Sequence, residues 1–152
     1  MISSGGKAVV LDAGAGYALC VEATASEILR AEWAAGTKRG IRLFAPTIWR
    51  YELTSIITKA IHFQQMSERL ARRTLQLAGA LDIQLVYPDD QLVTQAFDWT
   101  LRLKRAAAYD SFYLALAQRL DCELWTVDRK LARAASVTWV RYVGNAPADS
   151  RI

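Results

Sequence analysis

AYDSFYLALAQRLDCELWTVD, residues 108–128, joins an apolar helical run to a short strand, with an aspartate at the head of the first and another at the end of the second. The run of Ala, Leu and aromatic residues after Asp110 reads as a helix, and CELWTVD reads as a strand that stops at Asp128. A carboxylate at the start of an apolar helix is usually a cap. Asp110 therefore raises the question of whether it only begins a helix or also does chemistry.

The same alternation extends in both directions. KAVVLDAG (7–14) is a β-branched run that stops at Asp12, with a turn expected at the glycines of DAGAG. VEATASEILRAEWAAG (21–36) has helical spacing and a glycine stop at Gly36, and IRLFAP (41–46) is a second strand closed by Pro46. TIWRYELTSIITKAIHFQQ follows with Thr47 as N-cap, and Ser67 opens a further helix that ends near Gly79. DIQLVYP (82–88) gives a third strand, DDQLVTQAFDWTLRLKR a helix with acids in its first turn, DRKLARAA a short helix and VTWVRYV a last strand. Strands alternating with helices predict an α/β fold with a central, mostly parallel sheet flanked by helices on both faces. The 152 residues suit a single domain, with a core over about 7–143 and a frayed tail, GNAPADSRI.

Composition narrows the class further. The chain is 53% hydrophobic and 22% charged, which excludes a disordered chain, and no apolar run nears the ~20 residues of a membrane span. The expected location is the cytoplasm. Cys20 and Cys122 are far apart in apolar sequence and read as buried, reduced thiols. The net charge of +4 comes from the first half, where ten Lys/Arg face six Asp/Glu in residues 1–76. Such an excess permits contact with a polyanion without demanding it.

In a parallel α/β sheet, ligands bind beyond the carboxyl ends of the strands. Asp12 and Asp128 end strands, Asp110 begins a helix, and Glu52 lies among Ile48, Trp49, Leu53 and Ile56 near the start of another. Each alone has an ordinary explanation as a cap, a turn residue or a solvated charge. Together, at one edge, four carboxylates repel one another and call for a cation, and oxygen ligands point to Mg²⁺ or Mn²⁺.

The segments VVLDAG, APTIWRYELTSII, AYDSFYLALAQRL and LWTVDRKL, in this order, resemble the PIN-domain nucleases, in particular the toxins of VapBC toxin–antitoxin pairs. The resemblance runs over residues 7–143 and implies that Asp12, Glu52, Asp110 and Asp128 are metal-binding acids, with Thr126 a supporting hydroxyl. It implies metal-assisted cleavage of RNA, a homodimer, and a VapB-type antitoxin across the active-site groove. Gly14 departs from the family, which commonly has a small polar residue there; either activity is lower or backbone N–H groups of the Gly14–Ala15–Gly16 turn take over.

Arg50, Lys104, Arg105, Arg129 and Lys130 neighbour the proposed site and are candidates for phosphate contact. His62, at the far end of its helix, is expected to be structural or exposed, and Trp49 and Tyr109 are left without a role. The helix pair from Thr47 to Gly79 carries a surplus of apolar residues that suggests an interface. Gly14 stands where a haloacid-dehalogenase-type phosphatase needs a second aspartate, and Leu19 where a dinucleotide turn needs its third glycine. The alternative from another class is a non-catalytic PIN-like module that binds RNA or protein.

Overall fold

The computed structural model describes residues 7–21 and 24–145; the tail beyond Asn145 lies outside the described residues. Five strands, β1 (Ala8–Leu11), β2 (Arg42–Pro46), β3 (Ile83–Val86), β4 (Glu123–Thr126) and β5 (Val140–Tyr142), form one sheet in the order β3-β2-β1-β4-β5. Every pairing is parallel. Parallel neighbours need crossovers, and among the described residues seven helices provide them: α1 (Ala13–Cys20), α2 (Glu27–Lys38), α3 (Ile48–His62), α4 (Glu68–Ala80), α5 (Asp90–Leu103), α6 (Tyr109–Arg119) and α7 (Arg129–Ala135).

The period-two pattern of the central strands splits the core in two. Val9 and Leu11 of β1, with Leu43 and Trp125, pack against Ala15, Ala18 and Leu29 of α1 and α2. Val10, Leu124 and Val140 join the larger cluster, which is filled by α3 to α7. Helix α6 is buried on all sides in its middle, from Tyr113 through Ala117, as the apolar run YLALA requires. Cys122 is buried and Cys20 partly so, both unpaired thiols. Among the described residues no helix is long and apolar enough to cross a membrane.

The glycines read as turn and stop signals lie inside helices instead. DAGAG is the first turn of α1, and α2 continues through Gly36 to Lys38 before turning at Gly40, whose φ is +67°. Close packing explains both. A Cβ on Gly16 would stand 2.6 Å from the Trp49 ring, and one on Gly36 would stand 2.6 Å from Ile41 Cδ1. Thr47 occupies the N-cap position of α3 but makes no side-chain cap bond, whereas Ser67 caps α4 through Leu70 N–H as expected. Four residues at or just beyond helix ends, Gln64, Lys104, Asp121 and Ser136, adopt left-handed backbone without being glycine.

Trp49 is clamped where it meets Gly16, because its indole N–H donates to the Asp12 carbonyl at 3.2 Å. Gly16→Ala should therefore destabilise the protein by roughly 1–3 kcal/mol through overpacking, even though alanine favours helix by about 1 kcal/mol. Urea unfolding of the two proteins checks this; a variant more stable than wild type would show that Trp49 moves aside freely.

Candidate active site

The strand order places a topological switch between β1 and β4: the chain runs outward through β2 and β3, then returns to the other side of β1. Asp12 and Asp128 stand beyond the carboxyl ends of these two neighbours. Each is also an N-cap. Asp12 accepts from Ala15 N–H at 2.7 Å at the head of α1, and Asp128 accepts from Leu131 N–H at 3.0 Å at the head of α7. Asp12 also receives Val127 N–H at 3.3 Å from the turn after β4, which ties the two strand ends together. Thr126, fully buried, lies between them: its oxygen accepts from Asp128 N–H at 2.9 Å and its hydroxyl hydrogen-bonds the Asp12 carboxyl.

Gly14 is explained by the same crowding. A Cβ there would meet Val127 Cγ2 at 2.4 Å, so the valine methyl fills the space of a side chain. The backbone here is the first turn of a helix rather than a loop, and its Ala15 N–H donates to the Asp12 carboxylate.

Glu52 projects from the second turn of α3 and accepts from the Tyr113 hydroxyl at 2.9 Å. Tyr113 is a buried residue of α6 to which the sequence assigns no role; a phenol inside an apolar run, which needs a partner for its hydroxyl, was its only signal. Asp110 is not a cap. The cap position of α6 belongs to Ala108, which makes no side-chain bond, and the Asp110 carboxylate instead pairs with Arg105 at 2.8 Å.

Electrostatics link the four acids. Burial is the main reason the Asp12 carboxyl is pushed up to about 6, against the pull of hydrogen bonds from Thr126, Ala15 and Val127, and repulsion from Asp110 adds to it. Burial likewise raises Glu52, with Tyr113 opposing and Asp110 adding. Asp110 is raised by burial, lowered by Arg105 and raised again by Asp128. Asp12, Glu52 and Asp110 thus each sense another acid across the crevice.

The basic candidates divide. Arg50 and Lys130 are exposed, and Lys104 is exposed in the left-handed position that ends α5. Arg105 is committed to Asp110, and Arg129 lies on the Tyr142 ring at 4.7 Å while donating to Asn145 O at 2.6 Å. His62 is exposed, as expected, and Tyr109 is 61% exposed beside Asp110. A cleft of about 280 Å³ opens next to the acids, lined by Gly14, Tyr17, Val127, Tyr142 and Asn145.

Among the described residues no three His, Cys, Asp or Glu side chains already form a metal cage. The donor chemistry nonetheless fits a hard divalent ion. Three mutually repelling carboxylates held above their usual range need positive charge, and an arginine already supplies some of it at Asp110.

The PIN domain family model matches residues 9–137, so the chain belongs to the PIN domain family. No curated protein matches it by sequence. Its fold is similar to that of Mycobacterium tuberculosis VapC20, a Sarcin-Ricin loop cleaving toxin, with TM-score 0.60, 15% identity, and 88% of this chain and 98% of that one covered. VapBC2 from Rickettsia felis, bound to a DNA fragment from their promoter, matches with TM-score 0.61, 11% identity and coverage of 84% and 92%. PAE2754 from Pyrobaculum aerophilum matches with TM-score 0.60, 19% identity and coverage of 86% and 81%.

Asp12 binds its proton more tightly folded than unfolded, so between pH 3.8 and about 6 stability falls as pH rises. Asp12→Asn keeps a capping oxygen and removes the charge. Relative to the variant, wild type should lose stability between pH 4 and pH 7, with an upper bound of about 3 kcal/mol at ~1.4 kcal/mol per unit. Urea melts of both proteins at the two pH values measure it; parallel behaviour would mean that Asp12 titrates normally.

Proposed function

We propose that this protein is a divalent-metal-dependent endoribonuclease that hydrolyses RNA phosphodiester bonds, acting as the toxin of a toxin–antitoxin pair. The observation that carries the reading is the set of mutually repelling, partly buried carboxylates at the β1–β4 switch of a PIN domain. Asp12, Asp110 and Asp128 would hold Mg²⁺ or Mn²⁺, directly or through water, and Glu52 would hold the ion or orient the attacking water. When bound, the ion supplies Lewis acidity and a lowered water pKa.

The chain's own groups account for the rest. Tyr113 fixes the Glu52 carboxylate by donating to it, which leaves the other oxygen to accept from a water. Thr126 and the Ala15 and Val127 amides set the orientation of Asp12, and Leu131 N–H sets that of Asp128. Arg50, Lys104, Arg105, Arg129 and Lys130 are the proposed phosphate contacts around this centre, with Arg50, Lys104 and Lys130 the freest to reach a strand of RNA.

A VapB-type antitoxin and a second copy of the chain are the proposed protein partners. Tyr51, Ile61, Phe63, Leu70, Leu75 and Leu77 of α3, α4 and the turn between them are exposed. A groove of about 640 Å³ between α1, α2 and α4, lined by Leu19, Trp33, Leu70 and Leu77 with Arg30 and Arg73, suits an apolar segment that carries acids. A cytoplasmic location belongs to the same proposal.

One observation favours the second reading, a non-catalytic PIN-like binding module: Arg105 neutralises Asp110 without any metal. Asp110→Asn separates the two, and it removes no helix cap. With folding of both proteins verified by circular dichroism, wild type should bind Mn²⁺ by calorimetry and cleave RNA only with divalent metal. The variant should cleave at least roughly 100-fold more slowly, as expected when a group that stabilises the transition state is lost. If both proteins fold and neither binds Mn²⁺, the binding module is the correct reading.

A further inference from the structure

We infer that Arg105 is a resident counter-cation that Asp110 exchanges for the metal ion, and that the guanidinium released by this exchange binds an RNA phosphate beside the scissile bond. The inference rests on the nuclease reading above and deepens it.

Three observations carry it. The first is the geometry of the pair. Arg105 Nη1 donates to Asp110 Oδ2 at 2.8 Å, and among the described residues this is the only hydrogen bond of the guanidinium. It is a single contact, not the two-pronged one an arginine makes when its pairing is optimised. The two side chains are 27% and 38% exposed, so water and ions reach the contact. A partly exposed, single-contact pair is weak, and a divalent ion readily displaces it.

The second is the contrast with other arginines. Arg129 is held by the Tyr142 ring and Asn145 O, Arg119 by Asp89, and Arg141 by Glu32 and Glu123. None of those anchors is among the proposed ligands. Arg105 alone in this group is held by a carboxylate that the metal would claim, so metal binding frees Arg105 and leaves the others in place.

The third is the backbone that carries it. Lys104 takes the left-handed conformation at φ 54° and ψ 41°, and Arg105 N–H donates to Thr100 O at 3.3 Å, closing the end of α5. The root of the side chain is therefore fixed at the rim of the crevice while its long stem is free to swing. Ala106 and Ala107, both exposed, leave space around it. The exchange also answers the charge problem of the site: without metal the acids keep one positive neighbour, and with metal the crevice gains two further charges and an arginine aimed outward at a polyanion.

The test compares wild type with Arg105→Gln and Arg105→Lys, all verified as folded by circular dichroism. Calorimetric titration with Mn²⁺ should show Arg105→Gln binding roughly fivefold more tightly, the scale of the lost competitor, with Arg105→Lys between the two. Binding of a fluorescent single-stranded oligoribonucleotide is then measured against salt, with Ca²⁺ holding cleavage off and again with no divalent ion. With Ca²⁺ the salt slope of Arg105→Gln should be shallower by about 0.7, the loss of one phosphate contact. Without divalent ion the slopes should coincide. Unchanged or weaker Mn²⁺ binding by Arg105→Gln overturns the exchange, and a slope difference that persists without metal does so too. Absence of Mn²⁺ binding by all three proteins overturns the nuclease reading itself, and the exchange with it.

Discussion

The parallel pairing of β1 with β4 is the contact from which the site follows. Val9, Val10 and Leu11 stand opposite Glu123, Leu124 and Trp125, and Asp12 N–H continues the ladder to Trp125 O at 3.1 Å. That register sets Asp12 level with Thr126, whose hydroxyl lies between the Asp12 carboxyl and the Asp128 backbone N–H. A slip of one residue would exchange the two faces of the sheet and turn Leu11 away from Trp125 and Leu29. Both core clusters and the crevice above them therefore depend on the same registration.

The crevice holds its acids at a cost in stability. Burial pushes three carboxylates above their normal range, and the surrounding fold offsets the strain with local donors: amides for Asp12 and Asp128, a phenol for Glu52, a guanidinium for Asp110. Perturbed acids concentrated at a switch point mark a functional centre better than any one of them alone. Trp49 binds this centre to the scaffold, because α3 carries both the indole that holds the Asp12 carbonyl and, three residues later, Glu52.

Most elements were legible because their periods are unambiguous. The short apolar strands, the glycine and proline punctuation and the Ser67 cap all agree with local physics. DAGAG and Gly36 misled because glycine has two uses, conformational freedom and close approach, and the partner being approached is distant in sequence: Trp49 for Gly16, at a separation no local pattern reveals. Asp110 looked like a cap because caps are the usual reason for a carboxylate at a helix start, yet the cap position belongs to Ala108, two residues earlier. The strand order, and with it the adjacency of Asp12 and Asp128, belongs to tertiary pairing. The resemblance supplied the residues; the sequence alone could not say that Tyr113 and Arg105 were already occupying two of them.

The left-handed helix ends have a bearing on engineering. Gln64, Asp121 and Ser136 hold a backbone shape that favours glycine, and each carries a side chain that crowds the preceding carbonyl. None of them is in the crevice set of Asp12, Glu52, Asp110 and Asp128. Glycine at these three remote turns should thus add about half to one kcal/mol each, while the acidic edge is left as it is. The fourth such turn, Lys104, adjoins Arg105, and there the same change would loosen the hinge on which that side chain rides.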